Sequence, residues 1–364
     1  MSFDRPPVDR NSPAGARVAA KDAVWSPRAL SRKVTMSLPL SLLDLATVGK
    51  GETAREALEG SVALARTAER TGFRRVWYAE HHNSPGIASS ATAVLIAHVA
   101  ANTRSIRLGS GGIMLPNHSP LTIAEQFGTL ASLHPGRIDL GLGRAPGTDQ
   151  VTMRALRRDA TSSDTFPRDV QELQGYLSGE SLLPGVEAYP GSGTNVPLYI
   201  LGSSLFGAQL AAALGLPYAF ASHFAPAALE QAVAVYRREF TPSDQLAEPY
   251  VIAGVGVATG ETDAEAQAQL LATQRSRVAL ILGGKRDFTD DEADMVLASP
   301  QGQHLLEMMR YTAVGTAATV GEYLTTFAKH ADADELIVAL HATTVTERLR
   351  AAELVAQAGA LTGN

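Results

Sequence analysis

The 364-residue sequence predicts an α/β fold, a (β/α)8 TIM barrel with an insertion before the last strand. Short apolar runs typical of strands alternate eight times with segments in which apolar residues recur at helical spacing. The strand candidates are nearly continuous in hydrophobicity, as expected for parallel strands that are buried on both faces. This combination favours a closed barrel over an open, doubly wound sheet.

Each strand candidate is followed by a helix candidate. In chain order, the strands are predicted in VTMSLPLSLLDL, FRRVWYAE, SIRLGSGGIML, GRIDLGLG, VPLYILG, PYAFASH, YVIAGVGVAT and DELIVAL. The helices that follow them are predicted in TAREALEGSVALARTAERTG and over 88–101, 120–133, segments up to about 178, 204–214, 226–240, 263–282 and 344–358. Gly72 stands where a C-terminal cap of the first helix is expected.

Two segments fall outside this alternation. Residues 1–33 contain four prolines, seven Lys or Arg against three Asp, and no sustained periodicity, so we expect a disordered or surface-draped extension. A transit peptide is the alternative, which the acidic residues disfavour. Residues 34–364 are then a single barrel domain, and about 283–320, with paired glycines and a cluster of acids, is expected to be an insertion or lid.

The composition excludes several classes of function. The net charge of -6, without a run of Lys or Arg between aromatics, makes nucleic acid an unlikely ligand. The absence of cysteine excludes disulfides, thiolate metal sites and a cysteine nucleophile. No apolar run approaches the ~20 residues of a membrane span, and no secretory h-region is visible. We therefore expect a cytoplasmic protein with a small-molecule ligand.

Chemistry in such barrels takes place at the carboxyl ends of the strands. This rule selects five candidate loops, at 80–86, 111–119, 143–149, 202–207 and 222–224.

His81 and His82 are adjacent at the end of the second strand candidate. Side chains alternate on a strand, so the two imidazoles cannot both point into the barrel mouth if the strand continues through them. A metal site would prefer spacings of i and i+2 on a strand or i and i+4 on a helix. Three interpretations stay open: one functional imidazole with one structural, a structural pair, or a metal site. Glu80 and Asn83 are available to orient the rings.

Glycines and anion-binding residues mark the other loops. Gly109, Gly111 and Gly112 predict either a flat ligand against bare backbone or a bulge that bends the strand. Arg144 after the fourth strand, and Gly202, Ser203 and Ser204 where the fifth strand meets a helix, are typical of a phosphate site. A plain N-cap and a bridge from Arg144 to Asp149 are the structural alternatives. With neither a P-loop nor a Rossmann fingerprint, the set fits a mononucleotide such as a flavin.

Four blocks carry a resemblance to a known family: WYAEHHN, LGSGGIMLPNHSPLTIAEQFGTL, HPGRIDLGLGRAPGTDQ and ILGSSLFGAQLAAALGLP. They resemble the bacterial luciferase-like flavin monooxygenases, and among these the branch of short, single-type luciferase-like homologues. The likeness covers roughly residues 36–360.

The resemblance implies a (β/α)8 barrel that receives reduced FMN from a separate NAD(P)H-dependent flavin reductase. The flavin reacts with O2 to a C4a-peroxyflavin, which oxygenates a small organic substrate. A homodimer is expected, with no resident metal. By position, His81 matches the catalytic histidine with His82 in support, and Gly111 and Gly112 match a pair joined by a cis peptide. The implied phosphate ligands are Arg144, Ser203 and Ser204, to which the Gly207 amide adds.

The sequence departs from luciferase itself at two positions. Gly143 stands where luciferase has a reactive cysteine, and Ser203 where its phosphate loop has an acidic residue. No counterpart of the long-chain aldehyde pocket is traceable, so the substrate stays open. The alternatives are a deazaflavin (F420)-dependent oxidoreductase on the same barrel, a flavin-binding protein without turnover, and a metal-dependent barrel hydrolase.

Overall fold

The computed structural model describes residues 38–145, 148–282 and 288–362. Nine parallel strands form the sheet: β1 Leu40–Asp44, β2 Arg75–Tyr78, β3 Arg107–Met114, β4 Ile138–Gly143, β5 Leu198–Gly202, β6 Tyr218–Phe220, β7 Val251–Thr259, β8 Thr312–Gly315 and β9 Glu335–Leu340. Strands β1 to β7 and β9 close into a ring, because β1 pairs with β9, β9 with β7 and β7 with β6. The (β/α)8 barrel predicted from the sequence is therefore confirmed.

Twelve α-helices are present in the described residues: α1 Ala54–Thr71, α2 Thr92–Ala101, α3 Pro120–Leu133, α4 Gln150–Ala155, α5 Phe166–Ser178, α6 Leu205–Leu214, α7 Leu229–Glu239, α8 Asp263–Leu282, α9 Asp290–Leu297, α10 Pro300–Met308, α11 Ala317–His330 and α12 Val345–Thr362. Helix α1 shows how the sequence sets these bounds. Thr53 and Glu56 form a capping box at its start, and Gly72 ends it in the left-handed conformation, as predicted.

The segment between β7 and α11 interrupts the simple alternation. It contains α8, α9, α10 and β8, and β8 pairs with the last four residues of β7 outside the closed ring. Val278 of α8 packs with apolar residues of α9 and α10, and Arg275 of α8 forms ion pairs with Asp290 and Asp294 of α9. These contacts join α8, α9 and α10 into one packed unit that follows the carboxyl end of β7 in the chain.

Some of the predicted segment boundaries can be compared with the structure, and others fall on residues that it does not describe. The extension expected at 1–33 lies outside the described residues, as do 283–287 at the start of the predicted insertion. The remainder of the predicted 283–320 segment holds α9, α10, β8 and the first residues of α11. No helix in the described part of the chain is both long and apolar enough to cross a bilayer.

The interior of the barrel has an apolar layer above a charged floor. Trp77, Tyr199, Ala219, Ile252 and Ile337 are buried together inside the ring.

Below this layer, Arg75 Nη1 donates to Asp139 Oδ2 and to the Tyr199 hydroxyl, both at 2.8 Å, and Arg75 Nη2 donates to Glu335 Oε2 at 3.1 Å. Burial opposes the charge of Arg75, yet Asp139 and Glu335 raise its pKa above the ordinary value. These contacts fill the floor, so a ligand of the barrel interior would enter from the carboxyl ends of the strands.

Candidate active site

His81 follows β2 at the mouth of the barrel. Strand β2 ends at Tyr78, so His81 lies in the loop that follows the strand and not on the strand itself. Its Nδ1 atom is buried and has no hydrogen-bond partner. Burial lowers the pKa of His81, opposed by the charge of Glu80 and assisted by His82. His81 therefore presents a neutral imidazole with a free nitrogen.

His82 belongs to a separate hydrogen-bonded cluster. Its Nε2 lies 2.7 Å from Glu80 Oε1, and His118 Nε2 lies 2.8 Å from the same oxygen. The backbone N–H of Met114 donates to Glu80 Oε2 at 3.0 Å. Burial would raise the pKa of Glu80, but the hydrogen bonds from His118, His82 and Met114 hold it below its usual value. The adjacent histidines therefore have different environments.

Glu80, His82 and His118 also place three possible metal-ligand atoms within 4.8 Å of one another. One carboxylate oxygen already accepts from both imidazoles, and the second accepts from a backbone amide. These hydrogen bonds account for the cluster as a brace between the loops that follow β2 and β3. The link from Glu80 to His118 was not predicted from the sequence.

The glycines of β3 lie where that strand is irregular. The peptide bond between Gly111 and Gly112 is cis, and the register with β4 shifts between Ser110 and Ile113. A Cβ on Gly112 would come within 2.7 Å of the Gly141 carbonyl oxygen, and one on Gly111 within 2.7 Å of Leu43 Cδ1. Protein atoms thus require glycine at both positions, in agreement with the predicted bulge, so the glycines alone carry no argument for a ligand.

Arg144 and the start of α6 come together at the mouth. The Arg144 guanidinium carbon lies 4.3 Å from the centre of the Phe206 ring, in the first turn of α6. Ser204 is the N-cap residue of α6, but no side chain caps the helix, which leaves its first amides available to an anion. Ser203 and Ser204 are both exposed. The predicted plain N-cap hydrogen bond is absent.

The alternative bridge from Arg144 to Asp149 is not formed. Asp149 caps α4 by accepting the amides of Val151 and Thr152, and it also accepts from Asn83. Its carboxylate is therefore committed, and within the described residues Arg144 pairs with no acid.

Gly202 and Gly207 allow β5 and α6 to approach each other closely. A Cβ on either glycine would come within about 3.3 Å of both the other glycine and the Tyr218 ring. Tyr218 in turn donates to the Ser204 carbonyl at 3.0 Å. Gly207 is buried as the third residue of α6, where its amide belongs to the uncapped first turn.

Three further residues near the mouth were not predicted as site residues. His223 lies after β6 and His341 after β9, and both are buried. Burial and the nearby charge of Arg277, on α8, lower the pKa of each histidine to about 3. The sequence signal for the histidines was their position after buried strands, and the loop with His223 was selected on that ground.

Comparison with known proteins identifies the family. Residues 38–342 match the family model described as luciferase-like monooxygenase. The chain belongs to this family. The resemblance seen in the four sequence blocks is thereby confirmed.

Several relatives are similar over most of their length. A luciferase-like monooxygenase of Escherichia coli (strain K12) is 48% identical over 305 residues, which are 83% of this chain and 91% of the relative. An uncharacterized protein of Bacillus subtilis (strain 168) is 47% identical over 320 residues, covering 87% and 95%. The N-acetyl-S-alkylcysteine monooxygenase of the same strain is 41% identical over 189 residues, covering 50% and 56%.

Solved structures share the architecture. The crystal structure of apo-MsnO8 has a TM-score of 0.79 at 38% identity and covers 89% of this chain and 99% of its own. An FMN complex of the oxygenating constituent of 3,6-diketocamphane monooxygenase from Pseudomonas putida has a TM-score of 0.66 at 17% identity, covering 88% and 97%. An F420-dependent secondary alcohol dehydrogenase has a TM-score of 0.64 at 15% identity, covering 87% and 97%. The last two share the fold alone.

Proposed function

We propose that the protein is a two-component monooxygenase that binds reduced FMN at the barrel mouth and uses O2 to oxygenate a small organic substrate. A separate NAD(P)H-dependent flavin reductase supplies the reduced FMN, and the chain acts as a homodimer in the cytoplasm. Family membership and relatives named as monooxygenases support the reaction type. The observation that carries the flavin site is Arg144 over the uncapped start of α6.

The residues at the mouth fit FMN. Arg144, the hydroxyls of Ser203 and Ser204, and the first amides of α6 up to that of Gly207 would hold the phosphate. The segment through Gly111 and Gly112, with Gly202 beside the phosphate loop, would border the flavin ring. The free Nδ1 of His81 adds an orphaned polar atom in the same mouth, as expected where a ligand completes the hydrogen bonding.

When bound, reduced FMN would supply the two electrons that reduce one oxygen atom of O2 to water while the other enters the substrate. The neutral imidazole of His81 can accept or pass a proton at Nδ1, because burial keeps the ring uncharged near pH 7. The apolar layer of Trp77, Tyr199 and Ile337 beneath the mouth excludes water from below. Glu80 acts through His82 as a positioning residue for the loop that carries His81.

The test measures how oxygen consumption divides between product and H2O2. Reduced FMN is regenerated by a flavin reductase, and N-acetyl-S-methylcysteine serves as the first test substrate because a relative is named for this class. We expect incorporation of label from 18O2 into product. His81→Asn should retain flavin binding while H2O2 rises at the expense of product, and the exposed His304→Asn is the matched control.

Three outcomes would contradict the proposal. Preferential binding of reduced F420 over reduced FMN, with no reaction with O2, would favour the deazaflavin-dependent alternative. Reduced FMN that yields only H2O2 with every substrate in a broad panel would favour a flavin carrier. Loss of folding together with flavin binding in His81→Asn would remove the assigned role of His81.

A further inference from the structure

Arg277 is a cation at the mouth for which the proposed flavin site has no use. It lies on α8, partly buried, near His223 after β6 and His341 after β9. Burial lowers the pKa of Arg277, and no carboxylate acts to raise it. Within the described residues, no acid lies within ion-pair distance of its guanidinium. An arginine stays charged even when partly buried, so among the described residues this charge has no counterion.

Arg275, two residues away on the same helix, shows the contrast. Its guanidinium pairs with Asp290 at 2.8 Å and with Asp294 at 2.6 Å. Helix α8 therefore uses Arg275 to bind α9, whereas Arg277 pairs with no acid in the part of the chain that the structure describes. The absence of a carboxylate beside Arg277 is a local property and does not follow from a general lack of acids near α8.

The two histidines that are affected by the charge of Arg277 lie against glycines of β7. A Cβ on Gly254 would come within 2.3 Å of His223 Nδ1, and one on Gly256 within 2.4 Å of His341 Nε2, so each imidazole lies against bare backbone. His223 Nδ1 is buried and has no hydrogen-bond partner. His341 Nε2 lies 3.4 Å from the Thr312 hydroxyl oxygen, which itself donates to the Met309 carbonyl.

We propose that Arg277, His223 and His341 form a binding site for the carboxylate of the organic substrate. This inference rests on the proposed function and restricts the substrate of the proposed monooxygenase to organic acids. A guanidinium donates two parallel N–H bonds to a carboxylate, and a neutral imidazole can donate one more. The carboxylate would supply the counterion that none of the described acids provides.

The phosphate of FMN is the competing source of an anion. FMN carries one phosphate, and Arg144 with the first turn of α6 already provides a site for it after β4 and β5. The Arg277 group belongs instead to the surroundings of β6, β7 and β9. Two separate cationic sites at one mouth fit two different anions, and the second is then the substrate.

The experiment uses benzoate and the neutral isostere benzamide as probes of the full-length protein. Calorimetry measures affinity, and proton NMR of the histidine Hε1 signals reports the location. We expect benzoate to bind at least ~10-fold more tightly than benzamide, about 1.4 kcal/mol, and to shift the His223 and His341 signals. Arg277→Met should abolish the preference, Arg277→Lys should restore part of it, and Arg275→Met should leave it unchanged.

Several results would overturn the inference: equal affinity for both probes, no binding of either at millimolar concentration, or an Arg277→Met variant that keeps the preference. A loss of reduced-FMN affinity in Arg277→Met, with the benzoate preference intact, would assign the site to the flavin phosphate instead. Near-ultraviolet circular dichroism checks that each variant folds. A wild-type protein that prefers benzoate but does not bind reduced FMN would contradict the proposed function and not this site.

Discussion

The floor and the mouth of the barrel differ in whether their buried polar groups have partners. At the floor, Arg75 is almost fully buried and is paired with Asp139 and Glu335. At the mouth, His81 Nδ1 is buried without a partner, and within the described residues Arg277 faces no acid. The paired charges of the floor stabilise the barrel, whereas the unpaired groups at the mouth are available to a ligand.

The difference matters because the two regions are parts of the same strands. Arg75 is the first residue of β2, and His81 lies three residues beyond the end of the same strand. The first closes the barrel below the apolar layer, and the second opens to the space above it. Variants at the floor should therefore change stability, and variants at the mouth should change ligand binding.

The largest expected effect is at the floor. Arg75→Met removes the buried cation that Asp139 and Glu335 share. Each acid keeps a more exposed partner, Arg107 for Asp139 and Arg74 for Glu335, so we expect a loss of about 3 kcal/mol in the free energy of unfolding. Denaturant unfolding measures it. The matched control, Arg275→Met, removes more exposed ion pairs and should have a much smaller cost. A cost for Arg75→Met no larger than that of the control would contradict the structural role of the floor.

The buried histidines at the mouth should make the free energy of unfolding decrease at acidic pH. Burial lowers the pKa of His223 and His341 from 6.5 to about 3 in the folded protein. The stability that these neutral histidines contribute is fully present above pH 6.5 and is lost as the pH falls from 6.5 towards 3. At pH 5.5, each histidine should cost about 1.4 kcal/mol of stability.

Unfolding measured at pH 7.5 and pH 5.5 checks this prediction. His341→Gln should flatten the dependence, while His304→Gln, at an exposed position, should not. Identical pH profiles for wild type and His341→Gln would show that the buried imidazole does not cause the pH dependence of stability.

Substitution in the hydrogen-bonded cluster of Glu80, His82 and His118 should have an intermediate effect on stability. Glu80→Gln removes the charged acceptor of His82, His118 and the Met114 amide, so we expect about 1–3 kcal/mol of destabilisation by thermal unfolding. Glu59→Gln, which removes an exposed i,i+4 pair, should cost less than about 0.5 kcal/mol. Dialysis against a chelator should leave the melting temperature unchanged, and a drop would identify the cluster as a metal site.

The smallest expected effect is at the start of α6. The Ser204 side chain makes no capping hydrogen bond, so Ser204→Ala should change the free energy of unfolding by less than about 0.5 kcal/mol. Thr53→Ala, in the capping box of α1, should cost about 1 kcal/mol. Equal costs would show that Ser204 already serves the helix rather than an anion.

The fold could be predicted because eight buried strands leave continuous apolar runs in the sequence. The ninth strand, β8, could not, since Thr312–Gly315 has four residues and pairs only with the end of β7. The sequence left three interpretations of His81 and His82 open, and their separate environments became clear only from the loop that follows β2. The glycines of β3 show the limit of such reasoning, because a bulge and a flat ligand require the same residue.

Other parts of the site depend on contacts between distant segments. His118 lies 38 residues from Glu80, and nothing in the spacing indicates their hydrogen bond. Arg277 and His341 come from α8 and from the end of β9, and only the closed ring brings them near His223. Local patterns therefore predict which loops carry chemistry, whereas the partners of each charge require the tertiary structure.

The most direct test of the flavin site is an anaerobic titration with reduced FMN and reduced riboflavin, which differ only in the phosphate. Arg144 and the uncapped start of α6 predict that reduced FMN binds at least ~10-fold more tightly. Arg144→Met should remove most of this difference while the affinity for riboflavin is retained. Equal affinities in the wild type, or an unchanged preference in Arg144→Met, would contradict the assignment of the mouth as a reduced-FMN site.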